Sequence, residues 1–151
     1  MGTKYEGTIT EKRALNAFIK LVRAAQSVSS RVESRFSDIG LTVSQFGALE
    51  SLYHLGPLNQ KALAGKILKC TGNITMVVDY LEKRSLVERV RGEQDRRHYS
   101  VRITPKGSAL IRSFFPGHVA RIVKEMSVLS KAEQDDLGRL CKKVGLQRTS
   151  T

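Results

Sequence analysis

The stretch Thr71–Ile103 carries the densest set of side chains with chemistry to offer. Ile74, Val77, Val78 and Leu81 recur at helical spacing, which fixes an inward face. The opposite face then shows Asn73, Thr75, Met76 and Lys83, with Asp79 and Tyr80 read as solvated. Asn can pair bidentately with adenine, and Thr or Met can touch a thymine methyl. At the start of this helix, Thr71, Gly72 and Asn73 would offer backbone N–H groups and a positive dipole end to a phosphate. A polar turn with Arg91, Arg96, Arg97 and Arg102 in and beside it follows. Arginine is favoured in the negative potential of a narrow minor groove. Asp95 has the wrong charge for DNA, and its expected role is to hold a neighbouring arginine in one pose. A helix with a polar outer face beside an arginine-tipped hairpin suits double-stranded DNA.

Charge points the same way. The chain has 151 residues, 26 Lys plus Arg against 14 Asp plus Glu, and a formal net charge of +12. Such an excess predicts a polyanionic partner, nucleic acid first and an anionic membrane second. The membrane is disfavoured because the apolar runs are short and broken by charges. The N-terminal MGTKYEGTITEKR lacks the apolar core of a secretory signal. Two cysteines are too few for a disulfide scaffold, so a reducing cytoplasm is the simplest compartment. The chain contains no Gly-x-Ser-x-Gly elbow, phosphate loop or His-Glu-x-x-His, which disfavours an enzyme, and neither a metal site nor a cofactor is expected.

Positioning these groups requires a scaffold of helices. Leu15, Phe18, Val22, Ala25, Val32 and Phe36 mark a long amphipathic helix over 10–36, with a stripe wide enough to pack on more than its own domain. Thr42 and Gln45 form a capping box, and Leu41 with Phe46 a hydrophobic staple, for a helix that turns Phe46, Leu49, Leu52 and Tyr53 inward. Asn59 caps a third helix over about 60–68, and the Thr71 helix follows it, which makes a helix-turn-helix. Tyr99, Val101 and Ile103 alternate as a half-buried strand. Thr104-Pro105 then starts a helix that Pro116-Gly117 should kink or break. Ser130 and Glu133 cap a last helix expected to bury Leu137, Leu140, Cys141 and Val144. The fold class is therefore mainly α with a small β-hairpin wing.

The order of elements and the run from Gly72 to Gly107, most specifically Asp95, Arg97, Val101, Ile103, Thr104 and Gly107, resemble the multiple antibiotic resistance regulator (MarR) family of winged-helix repressors. The resemblance covers about Glu11 to Val144. It implies one domain over 1–151, with a winged helix-turn-helix lobe at 42–103 and dimerisation helices at 10–36 and 105–145. It further implies a homodimer that binds a pseudo-palindromic operator and represses transcription, with Arg97 in the minor groove and Asp95 orienting it. A small phenolic or other lipophilic effector would release the DNA from a site between the dimer helices and the DNA-binding lobe. Phe115, Pro116 and His118 resemble a subset that includes responders to quinones and other aromatic compounds.

For that effector, Phe36, Phe46, Tyr53, His54, Phe114 and His118 supply apolar walls with a few polar tips, as ligand sites do. Two other readings stand beside it. Cys70, next to the start of the Thr71 helix and Lys69, could be a thiol of lowered pKa and hence a redox switch. A basic winged-helix module that coats DNA or assembles with proteins needs no effector at all.

Overall fold

The structure, a computed structural model, describes residues 2–67, 73–93, 95 and 97–146. It divides into two compact units, Met1–Pro116 and Gly117–Thr151.

In the first unit, helix α1 covers Ile9–Glu33. Thr8 caps it: the Glu11 amide donates to Thr8 Oγ1 at 3.2 Å and the Thr8 amide to Glu11 Oε2 at 2.8 Å. The helix is shorter than the expected 10–36. Phe36 belongs instead to a 3-10 turn, Phe36–Ile39, closed by Gly40 in the left-handed region at φ 67°. Helix α2 is Val43–Leu55, with the Thr42–Gln45 capping box in place. Both ends of the Leu41–Phe46 staple are buried. Tyr53 is not turned inward as expected; the inward face is Phe46, Ala48, Leu49 and Leu52, and Tyr53 lies at its margin.

Strand β1, Leu58–Asn59, leads directly into α3, Gln60–Lys66, which Asn59 caps by accepting from the Ala62 amide at 2.8 Å. Helix α4 is Ile74–Lys83. Strands β2 (Val87–Arg91) and β3 (Tyr99–Ile103) form the expected hairpin. A third strand was not foreseen: β1 pairs with β3, Leu58 opposite Val101, giving the antiparallel order β1-β3-β2. A strand of two residues, the second of them already a helix cap, is too short to show the alternation that marks a strand.

The core joins residues of α2, α3, α4, the sheet and the start of α5, including Leu49, Leu52, Leu63, Val78, Leu81, Leu86, Val101 and Ile111. Helix α1 contributes little, since Val32 is its one buried residue among those described.

Helix α5 runs from Pro105 to Met126 without interruption, Pro116 included. The expected break is therefore absent. A proline in a helix interior removes one hydrogen bond and strains a turn, and here the boundary between the two units falls directly after it. In the second unit α6 covers Lys131–Gly145 with its Ser130–Glu133 capping box. Its expected buried face is not buried: Leu137, Leu140 and Val144 are 39%, 49% and 52% exposed, and Cys141 is a free, exposed thiol. The periodicity is real, but no residue of this face is buried.

Candidate nucleic-acid interface

Helix α4 is amphipathic because it must bury one side only. Val77, Val78 and Leu81 are buried and Ile74 packs against the core. Asn73 lies one residue before the helix as its N-cap, and its side chain accepts from the Thr75 amide at 2.9 Å. That bond uses Oδ1, and the amide nitrogen keeps two further donors to offer. Thr75, Met76 and Lys83 are exposed, Met76 to 71%, an unusual degree for a large apolar side chain on a polar face. Thr71, Gly72, Arg96 and Cys70 lie outside the described residues.

The far end of α4 is locked to the start of α5. Ser85 takes φ 59°, the left-handed conformation that glycine adopts more easily. The Ser85 amide donates to Glu82 O and the Leu86 amide to Leu81 O, the paired bonds of a Schellman cap. Carbonyls left over at that end are taken by α5: Thr104 Oγ1 donates to Ser85 O at 2.6 Å, and Lys106 Nζ to Arg84 O at 3.0 Å. Gly107 allows the approach, because a Cβ there would stand 2.2 Å from Leu86 O. The Thr-Pro-Lys-Gly run thus works as a clamp on the end of α4.

Two residues read as solvated turn out to be engaged. Tyr80 donates its hydroxyl to Gly40 O at 2.8 Å, and Arg84 donates to Ile39 O and Gly40 O at 2.9 and 3.0 Å. Asp79 pairs with Arg89, which also binds Glu82 and donates through Nε to Gln60 Oε1 at 3.1 Å. Burial alone would lower the pKa of Arg89, yet hydrogen bonds and charges from Asp79 and Glu82 outweigh it and raise the value. Arg89 thereby ties α3, α4 and β2 together, and sequence reasoning missed it. A signal existed: Arg89 stands two residues after buried Val87 and opposite buried Val101. A charge on the core side of a strand requires partners.

The wing is arranged around its turn. Asp95 Oδ1 accepts from the Arg97 amide at 3.0 Å, and Oδ2 meets His98 Nδ1 at 2.9 Å. The Arg97 amide is the first cause holding the Asp95 carboxyl below its ordinary pKa, with His98 adding to it. Arg97 Nε lies 3.6 Å from Asp95, and the arginine side chain is 92% exposed. Arg91 donates to the Tyr99 hydroxyl at 2.8 Å and stacks on that ring. Arg102 is paired across the hairpin with Glu88 at 2.6 Å. Between helix and wing lies an open cleft of about 530 Å³ lined by Gln60, Thr75, Asp79, Arg89, Arg97, His98 and Tyr99. Thr75 of the helix and Arg97 of the wing therefore face one space, whereas Arg91 and Lys83 do not line it.

The residues suggested for an effector fall into three places. Phe36 stacks on Phe46 at 4.2 Å between ring centres, and Phe114 meets both rings at 6.0 and 5.6 Å. Tyr53 and His54 are exposed and in edge contact at 5.1 Å, and His54 meets Phe115 at 5.1 Å. His118 is buried and belongs to the second unit. Among the described residues no group of three His, Cys, Asp or Glu could hold a metal ion, and no helix is long and apolar enough to cross a membrane.

Comparison with known proteins gives this geometry a context. The MarR family model matches residues 41–99, the span from the staple of α2 to the wing. The transcriptional regulator MhqR of Bacillus subtilis is 39% identical over 91% of this chain and 94% of its own. The fold is shared with Sco3205 of Streptomyces coelicolor, a MarR family transcriptional regulator solved in complex with DNA, at a TM-score of 0.81 and 22% identity over 98% of this chain and 95% of that one. It is shared too with BpsR of Bordetella bronchiseptica, whose DNA binding is regulated by 6-hydroxynicotinic acid, at 0.79 and 22% over 95% of this chain and all of that one. Regulators of this kind bind DNA and are not enzymes. With the helix-turn-helix, the wing and a relative this similar over nearly its full length, the chain belongs to the MarR family of transcriptional regulators.

Proposed function

We propose that this regulator is a homodimeric repressor that reads a pseudo-palindromic operator and is released by a small aromatic or phenolic effector. The observation that carries the DNA half is the shared cleft. Thr75 and Arg97 line one open space, so a duplex whose major groove holds α4 presents its flanking minor groove to the wing. Asn73, Thr75 and Met76 are the base readers, Thr71 and Gly72 phosphate contacts at the helix start, and Lys83, Arg91 and Arg96 supporting cations. Asp95 fixes the backbone from which Arg97 reaches outward.

A dimer is supported by apolar surface that one chain leaves open. Phe18, Leu21 and Val22 on α1 are 62%, 41% and 44% exposed, and the α6 face is similar. Contiguous apolar surface of this kind marks a protein contact. The dimer would carry twice +12, so DNA affinity should fall steeply with salt. An aromatic effector is supported by the Phe36, Phe46 and Phe114 cluster, by the separate contact of His54 with Tyr53 and Phe115, and by the regulation of BpsR by 6-hydroxynicotinic acid. It would act by binding one separation of the two α4 helices better than the other.

The direct test is a gel shift with palindromic and random duplexes at two salt concentrations. Specific binding should survive random competitor at about 200 mM salt. Arg97→Ala should weaken operator binding about 10- to 100-fold with the dimer intact, since a minor-groove arginine supplies a few kcal/mol. Equal competition by random DNA would leave only a DNA-coating module. Thermal shift with phenolic compounds tests the effector, and loss of an oxidant response in Cys70→Ser would favour the redox reading instead.

A further inference from the structure

We propose that Gln60 is a specificity-determining residue, held by Arg89 so that Thr75 directs its hydroxyl proton toward a keto base, thymine or guanine, in the major groove. The inference rests on the reading that α4 enters that groove. Gln60 is not part of α4; it opens α3, fifteen positions before Thr75.

The chain of hydrogen bonds admits one direction. Arg89 Nε can only donate, and it donates to Gln60 Oε1 at 3.1 Å. Reversing the Gln60 amide would set N–H against N–H, so the orientation is chemically required. The other end of the amide, Nε2, must then face Thr75 Oγ1, at 3.2 Å, and must donate to it. Arg89 itself cannot swing away without abandoning Asp79 and Glu82. The direction of every bond is thus set by a guanidinium held between two carboxylates.

The consequence lies at Thr75. Gln60 fills one of the two acceptor sites on the Thr75 oxygen, while the hydroxyl proton has no partner among the described residues. Threonine hydroxyls inside helices often return that proton to a carbonyl one turn back. Thr75 is the second residue of α4 and has no earlier turn of that helix behind it. It is exposed and lines the cleft together with Gln60. A hydroxyl donor facing the groove favours thymine O4 or guanine O6 over the donating amino groups of adenine and cytosine. The Thr75 methyl group adds a preference for thymine.

Replacing the amide by a carboxylate inverts the relay. In Gln60→Glu, both oxygens accept, one from Arg89 and one from the Thr75 hydroxyl. Thr75 then shows lone pairs to the groove and favours adenine N6 or cytosine N4. Gln60→Met keeps the size but frees the hydroxyl, and is the neutral companion should the added charge disturb folding.

The experiment is selection of bound duplexes from a randomised library by the wild-type protein, Gln60→Glu, Gln60→Met and Thr75→Val, with folding checked by circular dichroism. One base position should change from keto in the wild type to amino in Gln60→Glu, a swing of roughly 10-fold in relative affinity. The same position should flatten in Gln60→Met and in Thr75→Val, while other positions keep their preferences. A selective wild type whose preferences are unchanged at every position in Gln60→Glu and Gln60→Met overturns the relay. A wild type that selects no sequence overturns the groove-reading role of α4 itself, a different and recognisable result.

Discussion

Helices α2 and α6 begin in the same way and end in opposite environments. Each opens with a capping box, Thr42 with Gln45 and Ser130 with Glu133. Each carries an apolar stripe at helical spacing. In α2 that stripe is sealed: Phe46, Ala48, Leu49 and Leu52 are all 2% exposed or less. In α6 no residue is buried. A cap satisfies the first amide groups and so decides where a helix starts. What covers its apolar face is a tertiary matter, and α6, like most of α1, stays unburied among the described residues. The two faces therefore report different things, one the interior of a folding unit and the other the apolar surface that the proposed dimer would cover.

The sharpest way to break that contrast is to place the same charge on both faces. Leu49→Glu should prevent folding, because an unpaired carboxylate in the core costs at least several kcal/mol. Leu140→Glu should leave helix content unchanged and shift the protein from dimer to monomer, seen by sedimentation. If Leu140→Glu stays dimeric at micromolar concentration, the α6 face is not the dimer contact. The next effect in size concerns the clamp on α4. Gly107→Ala should cost about 3 kcal/mol by urea unfolding, since the new methyl meets a backbone carbonyl and not a movable side chain.

The same contrast explains what was legible in the sequence. Thr42, Asn59, Thr104-Pro105 and Ser130 identify their helix starts correctly because each signal is complete within four residues. The wing strands are legible for the same reason, through alternation in Tyr99, Val101 and Ile103. Asp79 and Tyr80 are misread as solvated because their partners, Arg89 and Gly40, lie 10 and 40 positions away. Gln60 is silent in sequence, since nothing local marks a glutamine as the neighbour of a threonine on another helix. Leu137 and Leu140 are legible as apolar and misassigned as core, because periodicity does not say which molecule covers the face.

Asn73 tests how far capping and base reading can be separated. Asn73→Ala removes both the bond to the Thr75 amide and the outward amide group, and should cost about 1 kcal/mol of stability as well as sequence preference. Asn73→Ser retains a capping oxygen. It should melt within a degree or two of the wild type while binding with relaxed preference at one base position. Equal weakening on all sequences would make Asn73 a phosphate contact.

The smallest expected effect sits at the other end of the same helix, where the capping residue acts through its backbone and not through its own side chain. Ser85 occupies a left-handed conformation at φ 59° in a cap whose usual residue is glycine. The Thr104 hydroxyl bonds the Ser85 carbonyl, and the serine side chain has no part in that bond. Ser85→Gly should therefore relieve strain without loosening the clamp, stabilising the fold by about 0.5 kcal/mol after the entropy that glycine adds to the unfolded chain. The readout is a small rise in the urea midpoint with DNA affinity unchanged. A fall would mean that the strained residue is supported by contacts of its own side chain, and the comparison would shift from backbone to packing at the point where α4 hands over to the wing.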